Sequence, residues 1–218
     1  PGSTELIDVV IRTFVAPGEE VLLSVPTFSM YEARTRTQGG IPVLVPMTDE
    51  HEHDVIGLIR AVTERTKVIF LCTPNNPTGG SIATEDLKRI LRLGLPTVID
   101  EAYFEFGSAH SYAELVTEYP NAIVLRTFSK AYGLAGLRLG YAFAHPVVQR
   151  LLSRVKVPVD SRAAVSSSHS WSDPVHQWMR SGWVSSAISV TQARMPSWVV
   201  GGVVWVSMVA VMPVPSAF

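Results

Sequence analysis

Lys130 and Arg138 stand eight residues apart in Thr127-Phe128-Ser129-Lys130-Ala131-Tyr132-Gly133-Leu134-Ala135-Gly136-Leu137-Arg138. A lysine can condense with an aldehyde to form a Schiff base. An arginine can hold a phosphate dianion through its planar, bidentate fork. Thr127 and Ser129 add hydroxyl donors beside them. Aldehyde and phosphate on one molecule point to pyridoxal 5'-phosphate, and the rest of the chain offers further partners for it. Asp100 closes the apolar run Pro96-Thr97-Val98-Ile99. A carboxylate against a pyridine nitrogen favours the protonated ring by roughly 1–3 pKa units, and a protonated ring is the electron sink that carbanion chemistry at an amino acid requires. Asn76, in Thr73-Pro74-Asn75-Asn76-Pro77-Thr78-Gly79-Gly80, and Tyr103, in Asp100-Glu101-Ala102-Tyr103, are suited to hydrogen-bond the phenolic oxygen of such a ring. Gly2-Ser3-Thr4-Glu5 opens a helical pattern of Leu6, Ile7, Val9, Val10 and Phe14, and a helix N-terminus attracts an anion by about 0.3–1 kcal/mol when exposed.

These side chains can work together only if strand ends bring them to one edge. Apolar runs at 21–25, 43–45, 67–72, 97–100 and 122–128 read as strands, with Asp100 and Lys130 just at or past strand ends. That is where chemistry sits in open α/β sheets. Helical periods lie between several of them, such as 84–93 with Glu85 and Asp86 in its first turn. The alternation argues for a mainly parallel sheet covered by helices. Pro17-Gly18 and Gly39-Gly40 mark turns. Plainer roles stand beside the chemical ones. Asp100 could be a turn carboxylate, Arg138 a surface ion-pair partner, Thr127 and Ser129 strand-end hydroxyls, Phe28 ordinary core, and Ser3 or Thr4 a helix cap. His51-Glu52-His53-Asp54 does not have the spacing of a helical metal motif and reads as a solvated loop.

The ordered set Gly2-Ser3-Thr4-Glu5, Pro26-Thr27-Phe28-Ser29-Met30-Tyr31, Pro74-Asn75-Asn76-Pro77-Thr78-Gly79, Asp100-Glu101-Ala102-Tyr103 and Ser129-Lys130 through Arg138 resembles the class I/II pyridoxal-phosphate aminotransferases. Within them it is most similar to the histidinol-phosphate aminotransferases. The resemblance implies the large domain of the aspartate-aminotransferase-like, fold type I enzymes over residues 1–158. It implies Lys130 as the Schiff-base lysine and proton shuttle, Asp100 on the ring nitrogen, and Tyr103 and Asn76 on the phenolic oxygen. Ser3, Thr4, Thr127, Ser129 and Arg138 would share the phosphate, and Phe28 would stack on the ring, where a tyrosine is common in close relatives. The implied reaction is transfer of an amino group between histidinol phosphate and 2-oxoglutarate in histidine biosynthesis, with small-molecule amino-acid and 2-oxo-acid partners, in a cytoplasmic homodimer. Another class I/II aminotransferase, an amino-acid-phosphate decarboxylase, or a non-catalytic remnant that binds the cofactor are the alternatives.

Composition limits the remaining classes. At 218 residues with a net charge of −1, the chain has no general electrostatic attraction for nucleic acid or anionic membrane. A single cysteine, Cys72, rules out an intrachain disulfide framework and suits a reducing compartment. It reads as an inert buried thiol. No basic-then-apolar leader precedes the first motif, and the expectation is of a piece truncated at its amino end, with little turnover alone. Past residue 158 the composition changes: all five tryptophans lie after position 170, and nothing after Arg194 is charged. Residues 159–218 are expected to be a non-homologous or divergent tail in place of a small domain, since Arg180 and Arg194 lack the surroundings of a substrate-binding arginine. A membrane span needs about 20 apolar residues; Gly201-Gly202, Pro213 and Pro215 argue against one.

Overall fold

In the computed structural model, which describes residues 2–107, 110–156, 204–206 and 209–213, the apolar runs become strands of one sheet. β1 (Glu20–Val25), β3 (Thr66–Cys72), β4 (Thr97–Asp100) and β5 (Ala122–Thr127) are buried along nearly their whole length. Parallel strands covered on both faces require such continuous apolar runs. β2 (Ile41–Pro46) lies at the edge, with Ile41 and Leu44 exposed. Its prolines, Pro42 and Pro46, cannot donate ladder hydrogen bonds and so blunt that edge. β6 (Gly140–Ala144), β7 (Val204–Val206) and β8 (Val209–Pro213) complete the order β2-β1-β3-β4-β5-β6-β8-β7.

Strands β2 to β5 run parallel, β6 antiparallel to β5, and β8 parallel to β6, with Gly140 opposite Val209. The α/β alternation read from the sequence is therefore present, and the antiparallel β6 adds to it. That strand is short, and its sequence Gly-Tyr-Ala-Phe-Ala carries no signal of direction. The tail readings for residues 159–218 lie outside the described residues, apart from the backbones of β7 and β8.

Six helices flank the sheet among the described residues: α1 (Ser3–Phe14), α2 (Met30–Thr37), α3 (Val55–Ala61), α4 (Thr84–Leu91), α5 (Leu115–Glu118) and α6 (Pro146–Val155). They sort onto two faces. Leu6, Ile7, Val10 and Ile11 of α1, Tyr31 of α2, and Val148 and Leu152 of α6 form one apolar core with Val68, Phe70 and Val98. Val55 and Leu58 of α3 and Leu87, Ile90 and Leu91 of α4 form the other with Ile69, Leu71 and Ile99.

Successive strand residues point to opposite faces, and that period assigns the polar residues at the strand ends. Asp100 follows Val98 toward α1 and α2, whereas Glu101 follows Ile99 toward the other face. On β5, Thr127 shares the side of Ile123 and Leu125, and Arg126 shares the side of Val124.

Candidate active site

The carboxyl ends of β3, β4 and β5 open beside the amino end of α1, and residues of those strand ends, the loops after them and the first turn of α1 meet there. A cavity of about 180 Å³ is lined by Ser3, Thr4, Phe28, Asn76, Asp100, Tyr103, Thr127, Ser129, Lys130 and Arg138. These are the residues that the motifs single out. Tyr31, Cys72 and Ala102 also line it. A second cavity, of about 550 Å³, shares Asn76 and Tyr103 with the first and is walled further by Pro74, Pro77, Phe106 and Gly107.

At the inner end sits Asp100, only 3% exposed. Its Oδ2 accepts the Tyr31 hydroxyl at 2.6 Å and its Oδ1 accepts the Ala102 N–H at 3.1 Å. Burial raises the Asp100 carboxyl above the usual carboxylate range, and the Tyr31 and Ala102 hydrogen bonds and the Lys130 charge pull it back. Asp100 is thus a buried acceptor without a contact ion pair among the described residues, facing a cavity that also holds Lys130. Tyr31 is fully buried, stacked on Phe70 at 4.9 Å and edge-on to Phe28 at 5.5 Å. Its own hydroxyl is held well above the usual tyrosine range, by burial first and by Asp100 next.

At the other end, the chain converges on an anion-binding geometry. Gly2 caps α1 with φ 78°, and no side chain caps this helix, so Ser3 and Thr4 are first-turn residues and not caps. A Cβ on Gly2 would lie 3.2 Å from Arg138 Nη2, and one on Gly140 would lie 2.4 Å from the Ser3 nitrogen. The two glycines therefore let the guanidinium and the start of β6 close directly on the helix N-terminus. Arg138 itself adopts φ 54°, in the left-handed region. Thr127 Oγ1 accepts the Ser129 N–H at 3.1 Å and donates to the Leu139 carbonyl at 3.2 Å, which ties the strand end to the Arg138 turn.

Lys130, Tyr103, Asn76 and Phe28 line the same cavity. Lys130 Nζ is 5.2 Å from the centre of the Tyr103 ring. Asn76 is presented by the turn after β3, and its neighbour Asn75 fixes that turn. Asn75 Nδ2 donates to the Pro26 carbonyl at 2.9 Å and to Thr78 Oγ1 at 2.9 Å, and its Oδ1 accepts the Thr27 hydroxyl at 2.8 Å. One buried amide thereby joins the loop carrying Phe28 to the loop carrying Asn76.

Pyridoxal phosphate can be tested against these residues. A buried carboxylate, an arginine beside a glycine-cleared helix N-terminus, a lysine and an aromatic ring on one cavity match its ring nitrogen, phosphate, aldehyde and ring face. The residues present fit the group.

Tyr31 stands in the motif of residues 26–31 without a role of its own, and the structure puts it on Asp100. It closes that motif three positions after Phe28 across the start of α2, a spacing that puts two side chains on one side of a helical turn. The solvated-loop reading of His51-Glu52-His53-Asp54 is corrected for His53. That ring is buried, with Nδ1 2.8 Å from Ser24 Oγ and Nε2 3.1 Å from the Cys72 carbonyl, and burial lowers its pKa. Among the described residues no cluster could hold a metal ion, and no helix is long and apolar enough to cross a membrane. Cys72 is buried, its thiol pushed up to about 12, chiefly by burial.

Comparison with known proteins gives the same direction. A histidinol-phosphate aminotransferase of Dehalococcoides mccartyi is 46% identical over 167 residues, 77% of this chain and 46% of that protein. An aromatic amino acid aminotransferase of Rhodococcus opacus is 42% identical over 171 residues, 77% of this chain and 48% of the relative. The chain thus spans about half the length of the curated relatives it matches. The crystal structure of histidinol-phosphate aminotransferase from Sinorhizobium meliloti in complex with pyridoxal-5'-phosphate superposes with a TM-score of 0.63 at 32% identity, over 71% of this chain and 44% of that one. The family model for aminotransferases of class I and II matches residues 1–194, past residue 158 where the motif resemblance ends. Pyridoxal phosphate is the cofactor of that family, and the chain belongs to it: it is a class I and II aminotransferase by family.

Proposed function

We propose that this chain binds pyridoxal phosphate in the 180 Å³ cavity and serves amino-group transfer between an amino acid and a 2-oxo acid, with histidinol phosphate and 2-oxoglutarate as the pair. The observation that carries the reading is the cavity itself, where Lys130, Arg138 and the buried carboxylate of Asp100, without a contact ion pair among the described residues, line one space. When bound, the cofactor supplies the electron sink and the temporary carrier of the amino group.

The protein's share is binding, orientation and proton handling. Asp100 stabilises a cationic N–H placed against its carboxylate, and Tyr31 and Ala102 aim that carboxylate. Lys130 is the group that takes and returns a proton at its Nζ. Asn76 and Tyr103 donate hydrogen bonds to an oxygen anion lying between them, and Phe28 covers one ring face. Arg138, Ser3, Thr4, Thr127, Ser129 and the amino end of α1 hold the phosphate. The substrate assignment rests on the similarity to proteins named histidinol-phosphate aminotransferase. Aromatic amino acid aminotransferases match at comparable identity and give the second reading.

Borohydride reduction of the cofactor-loaded chain, followed by peptide mapping, is expected to label the peptide with Lys130. A label on another lysine overturns the site. Arg138→Ala should mainly weaken cofactor affinity, and Asp100→Asn should mainly slow the conversion of bound cofactor to its amine form. Histidinol phosphate, phenylalanine and glutamate, supplied one at a time in that single half-reaction, separate the two substrate readings.

A further inference from the structure

Glu101 follows the cavity carboxylate directly but faces away from the cavity. It is 1% exposed and accepts several donors. Arg126 Nε lies 2.8 Å from Oε2, the Ser111 hydroxyl 2.9 Å from the same oxygen, and the Tyr112 N–H 2.6 Å from Oε1. Arg126 comes from the neighbouring strand β5, one residue before Thr127, and its guanidinium carbon lies 3.9 Å over the centre of the Phe104 ring. The stretch after β4 is therefore held where it leaves the sheet, at its middle, and where it returns.

Residues 102–107 lie inside that bracket. Their own backbone bonds are short-range: Phe104 N–H to the Glu101 carbonyl, Phe106 N–H to Tyr103, and Gly107 N–H to Phe104. Single 3-10 turns of this kind are weak elements, so their order depends on what anchors them. Glu105 adds a second carboxylate whose Oε1 is buried without a hydrogen-bond partner among the described residues, and its charge acts on Arg126. With Glu101 neutral, the cation under Phe104 would lose its contact anion, and the whole stretch would lose its anchor.

We propose that Glu101 is a positioning residue for the cavity: paired with Arg126, its carboxylate fixes residues 102–107 so that Tyr103 faces Lys130 and Phe106 walls the adjoining 550 Å³ space. The consequence for cofactor binding rests on the proposed function; the ordering of the segment does not. If the segment holds the competent arrangement only about a tenth of the time without its anchor, cofactor affinity falls about tenfold.

The test combines hydrogen exchange on the cofactor-free chain with pyridoxal phosphate titration. Glu101→Gln should speed exchange in peptides covering 102–107, weaken the cofactor dissociation constant about tenfold, and shift the absorbance maximum of the bound cofactor. Ser111→Ala, which removes one of the donors and spares the ion pair, should give smaller changes of the same sign, and decides the matter if Glu101→Gln does not fold. The double variant Glu101→Leu with Arg126→Met removes both charges and should recover thermal stability while cofactor affinity and absorbance stay altered, because apolar replacement restores packing but not the bracket. Unchanged exchange in Glu101→Gln and Ser111→Ala overturns the proposal. So does faster exchange with an unaltered dissociation constant, or a double variant that regains affinity together with stability. A parent chain that takes up no cofactor sinks the proposed function instead, and the exchange comparison still decides whether Glu101 orders the segment.

Discussion

Asp100 and Glu101 are consecutive carboxylates on one strand end, both nearly inaccessible to water, and they belong to opposite sides of the sheet. On the α1/α2 side, Asp100 is met by a tyrosine hydroxyl and a backbone N–H, with Lys130 acting only as a more distant charge. On the other side, Glu101 is met by the Arg126 guanidinium at contact distance, a serine hydroxyl and a backbone N–H. Burial raises both carboxyls, but the compensation differs in kind. The ion-paired carboxylate is spent on structure, whereas the one left with neutral donors retains an unsatisfied preference for a cation. A buried carboxylate of the second kind, facing a cavity, is a chemical group in waiting.

Breaking the better-compensated side should have the larger effect on stability. Glu101→Gln leaves the Arg126 charge buried beside Phe104, and removal of one partner from a buried pair costs about 3–5 kcal/mol. Urea denaturation should show an unfolding free energy lower by about that amount, read as a lower midpoint at unchanged slope. On the cavity side, Tyr31→Phe removes a neutral donor and leaves Asp100 Oδ2 without it, at a cost of about 1–3 kcal/mol. The same denaturation series, run on both variants, checks that the ion-paired side loses more.

Asp100→Asn should change the sign of the effect. An asparagine can donate Nδ2–H to the Tyr31 oxygen and still accept the Ala102 N–H, because a tyrosine hydroxyl both gives and receives. The cost of burying the charge disappears with the charge. Since burial raises the folded-state pKa of Asp100 above the unfolded value, the folded chain binds the extra proton. Its stability is then greatest below the ordinary carboxylate range and falls as pH rises through the raised value. The cofactor-free Asp100→Asn variant should therefore melt above the parent near neutral pH and approach it at acid pH. A melting-temperature series across that range measures the gap; a variant less stable than the parent at neutral pH would remove the distinction between the two carboxylates. The smallest signal is expected from Cys72, which lines the cavity with its thiol pushed up to about 12. Alkylation at pH 8 should be negligible in the folded chain and complete in urea, since only the thiolate reacts.

Much of the site is legible in the sequence. Lys130, Asp100, Arg138, Asn76 and Tyr103 stand at strand ends or on the turns that follow, and apolar runs mark those ends without ambiguity. What was not legible has two physical origins. Tyr31 has no role in its motif and His53 reads as solvated in the sequence, because the importance of each comes from partners far away in sequence: Asp100 for the first, Ser24 and the Cys72 carbonyl for the second. The antiparallel β6 and its pairing with β8 were not foreseen because strand direction is set by packing and connection, not by composition.

The sequence by itself determined the strand runs, the alternation with helices, and the identities of the residues that meet in the cavity, because hydrophobic period and turn chemistry are local properties. Only the tertiary structure decided which of two neighbouring carboxylates would be neutralised by an arginine and which would face an open space. Period-two alternation puts Asp100 and Glu101 on opposite faces. What waits on each face, Tyr31 from α2 on one and Arg126 from β5 on the other, is fixed by how distant segments pack.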